Sequence, residues 1–304
     1  MKYLMVPISF LLGALAGGLL VRYWRARSDK SDVTTPRQKL KLVAATVFVT
    51  TLFIGVSGYA AFRYRFRAKP VSKATTAQAV ADFRKAGGSS AAGRKGVPAG
   101  GVYTYHAKGF LKVESALMGN LHRQLPKTVP ALLIHKKNCW EMGLRLFKEH
   151  QRTERYCKGD RGVKLVQRWE KNEMFGIRTF NRQGCGPHGI LGPTGKPGSR
   201  WTSTWKVLEH KTTMPLPVKR PDLLLRITYV GVTKLTIGGR SVSAHHLQQA
   251  ADFKGPVSGT MTREVWYAVD TGLMLKLHIK SQGSGVASVT IDRQYTLASL
   301  TPKQ

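Results

Sequence analysis

Residues 273–280 read Leu-Met-Leu-Lys-Leu-His-Ile-Lys, with leucine or isoleucine at every second position. This period of two predicts a β-strand with one buried and one solvated face. The same alternation recurs in three further runs, 163–169, 223–229 and 291–297. Turn signals such as Gly238-Gly239 and Asp270-Thr271-Gly272 punctuate these runs, as in hairpins. We therefore predict an antiparallel barrel, half-barrel or sandwich of about ten short strands over residues 101–304.

Two runs without a charged residue precede this region, at 3–21 and 42–62. At 1.5 Å rise per residue each is long enough to cross about 30 Å of hydrocarbon, so both are predicted to be transmembrane helices. The alternative for the first run is a signal peptide cleaved near Ala14-Leu15-Ala16. Basic residues between the runs favour an inside loop, which places the rest of the chain outside the plasma membrane.

Alanine, glycine, serine and lysine dominate the stretch between the second run and the β region. Such a composition predicts a basic, flexible linker over 63–100. Within it, Thr76 to Lys85 can form one short helix with Ala79, Val80 and Phe83 on one side. The predicted organisation is a membrane anchor at 1–62, the linker at 63–100 and an extracytoplasmic β domain at 101–304.

The chain is strongly basic, with 49 Lys and Arg against 16 Asp and Glu and a formal net charge of +33. Nucleic-acid binding is the usual interpretation of such a charge, but an aromatic-rich RNA-binding motif is missing, so no nucleic acid is expected. Membrane lipid headgroups or acidic envelope polymers are the more available partners. The alternative is a basic composition with no partner behind it. Eight residues near the anchor are predicted to contact an anionic membrane: Arg63, Arg65, Arg67, Lys69, Arg84, Lys85, Arg94 and Lys95.

The chain has three cysteines. The spacing between Cys139 and Cys157 fits two adjacent strands and a tight turn, and an extracytoplasmic domain permits a disulfide between them. Two separate buried thiols are the alternative. Cys185 is interpreted as a loop cysteine without a partner, and a thiol activated by His188 is the less favoured alternative.

Sequence motifs for catalysis are missing: there is no Gly-x-Ser-x-Gly, phosphate-binding loop or His-Glu-x-x-His. Adjacent histidines at 245 and 246 would point to opposite faces of a strand, which argues against a metal site. Five glutamates are interpreted as partners in surface ion pairs: Glu141, Glu149, Glu154, Glu170 and Glu173. We therefore expect no enzyme activity and no cofactor.

Several short motifs resemble a family of membrane-anchored envelope proteins of actinobacteria that is functionally uncharacterised. They are 101–105, 138–140 with 156–157, 235–242, 263–267 with 271–273, and 295–302. The hairpin at 266–272 is also similar to the last strands of lipoprotein-carrier domains of the LolA and LprG kind, although a lipobox cysteine is missing. This second resemblance implies an open half-barrel with an apolar concavity for acyl chains.

These observations favour a membrane-tethered extracytoplasmic β domain that binds lipid or an anionic envelope polymer. The alternative is a structural or regulatory membrane protein whose outer domain recognises another protein. A cavity of several hundred cubic ångströms would favour the first interpretation, and a packed core would favour the second.

Overall fold

The computed structural model describes residues 22, 36–65, 71–88, 96–159, 162–186, 195–213, 222–255 and 257–304. These residues fall into two compact units, one ending at residue 65 and the other beginning at residue 71. The first predicted span, 3–21, lies outside the described residues.

The first unit contains helix α1 (Pro36–Arg65), which includes the whole run 42–62. Proline at the first helical position is compatible with the helix because its missing N–H would have no partner there. Several large apolar side chains along α1 are exposed, including Phe48 at 67% and Val56 at 61%. Within the described part of the chain, no helix meets the length and hydropathy required to span a membrane.

The second unit consists mainly of an antiparallel sheet of thirteen described strands. They are β1 (Gly101–Ser115), β2 (Gly119–Gln124), β3 (Thr128–Lys136), β4 (Cys139–Phe147), β5 (His150–Gly159), β6 (Gly162–Met174), β7 (Ile177–Gly184), β8 (Arg200–Thr212), β9 (Leu223–Ile237), β10 (Arg240–Phe253), β11 (Val257–Ala268), β12 (Met274–Gly285) and β13 (Ser288–Leu297). The strands are more numerous than expected, and β1 and β9 reach 15 residues.

The sheet closes on itself because β13 pairs with β1, from Tyr105 opposite Leu297 to Glu114 opposite Ser288. On its other side, β1 pairs with β3 along its first half and with β2 along its second half. Twelve strands thus complete the ring and β2 is an additional strand on β1. A closed antiparallel barrel is one of the three architectures that the alternation predicts, so this expectation is confirmed. We call the end of the barrel that carries the β1–β2, β4–β5 and β12–β13 turns the lower end.

Alternation of side chains explains which face of each strand is buried. In β12, Leu275, Leu277 and Ile279 point into the barrel, as the sequence predicts. Glycine forms the β9–β10 turn, where Gly238 and Gly239 have φ of 55° and 79°. This left-handed conformation is unfavourable for residues with a Cβ, so the Gly-Gly signal marks the hairpin correctly.

Helix α2 (Thr76–Lys85) confirms the short helix expected inside the linker. Thr75 and Gln78 form a capping box at its start. Its buried side chains Ala79 and Phe83 pack on Val102 of β1 and Leu132 of β3. Just before the helix, residue 73 forms an antiparallel bridge with residue 147 at the end of β4. This part of the expected flexible linker is therefore folded onto the outside of the barrel.

The predicted disulfide between Cys139 and Cys157 is confirmed. The two cysteines are directly opposite each other on β4 and β5, with their Cα atoms 3.9 Å apart. On the opposite faces of the same strands, Trp140 and Tyr156 also pair and stack inside the barrel, with ring centroids 5.8 Å apart. The disulfide therefore lies outside the barrel, whereas the neighbouring pair, Trp140 and Tyr156, belongs to the core inside it.

Candidate functional site

The candidate site is a group of buried charged side chains inside the barrel. Strand β5 contributes His150, Arg152 and Glu154, which share the inward face with Tyr156 because side chains alternate along a strand. All four are buried. The neighbouring strand β6 adds Arg168 and Glu170, which lie directly opposite Glu154 and Arg152. Opposite residues share one face of a sheet, so these side chains also face inward.

Glu154 is the centre of the group. Its carboxylate accepts hydrogen bonds from Arg263 Nη2 at 3.1 and 3.3 Å, and from Arg152 and the hydroxyl of Tyr156. Burial alone would raise the pKa of Glu154, but Arg152, Arg263 and Arg168 lower it well below its usual range. Glu154 is therefore ionised over the whole physiological pH range.

Arg168 and Arg263 both lie close to an aromatic ring. Their guanidinium carbons are 5.3 and 6.0 Å from the ring centroid of Trp205 in β8. Burial lowers the pKa of Arg168 to about 10, so this side chain stays protonated at neutral pH. These cation–π contacts stabilise the two positive charges, but the ring carries no net charge and therefore does not neutralise them.

His150 and Glu170 form a second pair closer to the lower end, with Nε2 and Oε1 2.6 Å apart. Burial lowers the pKa of His150, the hydrogen bond to Glu170 raises it, and Arg293 and Arg123 lower it, with a net decrease. His150 is therefore neutral at pH 7. Glu170 also accepts from Arg168 at 3.3 Å.

Two further arginines complete the group, Arg123 in β2 and Arg293 in β13. Both are 7% exposed. Arg123 Nη1 donates to the backbone carbonyl of Glu173 in β6 at 2.8 Å, so its side chain connects β2 to β6 near the lower end. The carboxylate of Glu173 itself accepts from Arg178. We call the five arginines the inner arginine cluster: Arg123, Arg152, Arg168, Arg263 and Arg293.

Charge inside the barrel is not balanced. Among the described residues, the five guanidinium groups of the inner arginine cluster are accompanied by two inward carboxylates, those of Glu154 and Glu170. The Nε atom of every arginine in the cluster is buried and lacks a hydrogen-bond partner in the part of the chain that the structure describes. A buried charge without a counter-charge costs several kcal/mol, so this arrangement favours the entry of an anion.

The interpretation of the five glutamates as surface ion pairs is correct only in part. Glu141 pairs with Arg155 and Glu173 pairs with Arg178, both near the surface. Glu154 does pair with arginine, but inside the barrel, with its side chain 5% exposed. Glu170 likewise lies on the inward face. The prediction was wrong for these two because β5 and β6 are polar on both faces.

The structure describes only some of the residues that were expected to contact an anionic membrane. Arg63 is exposed on α1, with its guanidinium carbon 5.8 Å from the centroid of the Tyr59 ring. Arg84 and Lys85 are exposed in the last turn of α2. The positions of Arg67, Lys69, Arg94 and Lys95, and the side chain of Arg65, lie outside the described residues. Contact with a membrane stays a prediction.

Cys185 packs against the barrel core and is not bonded to another cysteine. Burial raises the pKa of its thiol to about 12, which is the opposite of what activation requires. Cys185 directly follows β7, in agreement with its interpretation as a loop cysteine without a partner. His188 lies outside the described residues.

A groove of about 440 Å³ lies over strands β9 to β12. Most of its lining residues are polar or charged, among them Arg226, Thr228, Gln248, Thr262 and Lys280, although polar and apolar atoms contribute about equally to its surface. This groove therefore differs from the apolar concavity that the resemblance to lipid carriers implies.

The fold and the site together define a closed antiparallel barrel with an arginine-rich interior. No family model and no curated protein matches the chain. Among solved structures, the chain is similar to the hypothetical lipoprotein YmcC from Escherichia coli, with 14% identity and a TM-score of 0.31, over 66% of this chain and 85% of the other. It is also similar to a lipoprotein from Parabacteroides distasonis, with 6% identity and a TM-score of 0.29, over 67% of this chain and 97% of the other. TM-scores of this size assign neither a family nor a function.

Proposed function

We propose that the protein is a membrane-tethered, extracytoplasmic binding protein whose barrel takes up an anionic lipid, without catalytic activity. The observation that carries this proposal is the excess of buried arginine over buried carboxylate inside the barrel. Folding a chain around uncompensated positive charge is unfavourable unless an anion neutralises it. A binding site is the simplest reason for such an arrangement.

The surroundings of the cluster favour a lipid over a long polymer. Leu111, Val113 and Leu121 are buried on the inward faces of β1 and β2, next to Arg123 on β2. Arg123 lies directly opposite Leu111 in this ladder. An amphiphile can match charge and apolar surface side by side within an enclosed barrel, whereas a long polymer would have to bind outside the barrel, away from these buried arginines.

The membrane anchor is part of the proposal and rests on the two apolar runs at 3–21 and 42–62. Exposed apolar side chains along α1, among them Val47, Leu52 and Val56, support it for the second run. A helix that is apolar on all sides is unfavourable in water. The eight basic residues near the anchor would add attraction to an anionic leaflet of about 1 kcal/mol each.

Lipid analysis of the purified full chain tests this proposal. The protein is isolated in mild detergent, incubated with phosphatidylglycerol, and examined by native mass spectrometry. We expect a bound lipid, and we expect the double variant Arg152→Gln/Arg263→Gln to lose it by about tenfold or more in affinity, since hydrogen bonds to charged groups contribute about 1.5–3 kcal/mol each. The matched control is Arg226→Gln, an exposed arginine on β9 paired with Asp252. Equal lipid binding by all three proteins, or none by the wild type, would contradict the proposal.

A further inference from the structure

Arg123 and Arg293 differ from the other members of the inner arginine cluster because neither hydrogen bonds to a carboxylate among the described residues. Arg293 shares its side-chain hydrogen bond with Tyr295. Arg152, Arg168 and Arg263 each hydrogen bond to a carboxylate of Glu154 or Glu170. Arg123 instead donates to a neutral backbone carbonyl. Glu149 and Glu173 lie close enough to interact with Arg123 electrostatically, but their carboxylates accept hydrogen bonds from the backbone of Ser72 and from Arg178.

Strand register brings Arg123 and Arg293 to neighbouring positions on the barrel wall. Arg123 is directly opposite Leu111, and Leu111 is directly opposite Ile291, two residues before Arg293. The two arginines thus lie on either side of β1, about 10 Å apart across the strands and about 7 Å apart along them. Long side chains that start from these positions and point inward can converge on one ligand.

His150 lies near both arginine side chains. This buried histidine on β5 interacts electrostatically with both Arg293 and Arg123. His150 belongs to β5, and β2 and β4 lie between β5 and β13. The guanidinium groups of Arg123 and Arg293 therefore extend into the interior to approach His150. Both have a buried Nε atom that lacks a partner among the described residues.

We propose that Arg123 and Arg293, beside His150, form a phosphate-binding subsite inside the barrel, toward its lower end. This inference rests on the proposed function and names the group that the ligand carries. Two planar guanidinium forks from different strands offer donors in several directions, which fits the tetrahedral oxygens of a phosphate better than the two coplanar oxygens of a carboxylate. A phosphate monoester, with a charge of about −1.5 to −2 at pH 7, also matches the positive charges of two arginines that hydrogen bond to no carboxylate among the described residues.

The test compares ligands on the full chain in detergent. Inorganic phosphate, phosphatidic acid and oleate are titrated by calorimetry into the wild type, Arg123→Gln and Arg293→Gln, with Arg226→Gln as control. We expect both phosphate ligands to bind the wild type and the control, and oleate to bind at least tenfold more weakly than phosphatidic acid. Each inner variant should lose about tenfold or more in affinity for phosphatidic acid. If phosphatidic acid binds tightly and inorganic phosphate does not bind, the subsite is assigned to a lipid headgroup. If the two ligands bind with equal affinity, it is assigned to phosphate itself.

Two further results separate failure of this inference from failure of the proposed function. If the wild type binds no anion, the proposed function is wrong. Only the phosphate subsite is wrong if Arg152→Gln/Arg263→Gln loses binding while Arg123→Gln and Arg293→Gln bind normally. The same conclusion follows if oleate binds the wild type as tightly as phosphatidic acid does. Thermal melting of ligand-free Arg123→Gln and Arg293→Gln checks folding, and we expect their Tm to equal or exceed that of the wild type because each substitution removes a buried charge that has no hydrogen bond to a carboxylate. If one glutamine variant fails to fold, Arg293→Lys, which keeps the charge but loses the planar fork, should still show weaker phosphate binding.

Discussion

Replacing Glu154 by glutamine tests whether the inner charges stabilise the barrel as a connected group. The substitution keeps the shape of the side chain but removes the charge that holds Arg152 and Arg263, whose side chains are 7% and 0% exposed. Breaking a buried ion pair by removing one partner costs about 3–5 kcal/mol, since the other charge stays buried. For a domain of this size, the fall in Tm should be about 6–20 °C.

The effect of Glu154→Gln should depend on pH. Because the pKa of Glu154 is lowered by folding, its contribution is complete above the ordinary carboxyl pKa of about 4.3 and is lost as the pH falls below that value. Thermal melts followed by tryptophan fluorescence at pH 7, 5 and 3.5 should therefore show a gap between variant and wild type that narrows in acid.

The matched control for this experiment is Glu141→Gln on the adjacent strand. Glu141 also pairs with an arginine, Arg155, but that arginine is 38% exposed, so its pair is worth about 0–1 kcal/mol. If Glu154→Gln and Glu141→Gln lower Tm by the same amount, the inner cluster contributes no more than a surface pair, and the reasoning from burial is refuted.

Three further predictions concern other parts of the barrel. In His150→Gln, stability should fall less between about pH 7 and pH 5 than in the wild type, because the lowered pKa of His150 makes protonation favour the unfolded chain. Thermal melts over that range check this, with His122→Gln, at an exposed histidine, as the control. Cys139→Ser/Cys157→Ser should cost about 3 kcal/mol in the chain-entropy model, measured by denaturant unfolding, and an unchanged midpoint would contradict it. Phe83→Ala should release α2 from the barrel, so trypsin should cleave at Arg84 and Lys85 faster than in the control Ala81→Ser, at an exposed position of the same helix. Equal cleavage would show that Phe83 does not hold the helix.

Much of the barrel is predictable from local pattern. Leu275, Leu277 and Ile279 reveal a strand because their alternation separates a buried face from a solvated one. Gly238-Gly239 marks a hairpin because both residues need a left-handed backbone. The number of strands and the closure of the barrel are harder, since the pairing of β1 with β13 joins residues almost 200 positions apart and leaves no local signal.

The candidate site escaped sequence analysis because β5 shows no contrast between its faces. His150, Arg152 and Glu154 alternate with other polar residues, so hydrophobic periodicity gives no direction. The predicted disulfide could have shown which side chains of β5 face inward. Pairing Cys139 with Cys157 also pairs the large aromatic residues Trp140 and Tyr156, and counting back from Tyr156 in steps of two reaches all three buried side chains.

Closure of the ring by β13 also determines when the protein can acquire its fold during synthesis. The first strand of the barrel has to wait for the last one, since Tyr105 pairs with Leu297 and Val102 bridges to Lys303. Contacts between such distant residues make folding slow, because a long loop must close before they form. A partly synthesised chain would therefore have unpaired β edges and exposed arginines. Chaperones, or early contact with the proposed anionic ligand, would have the greatest effect in that state.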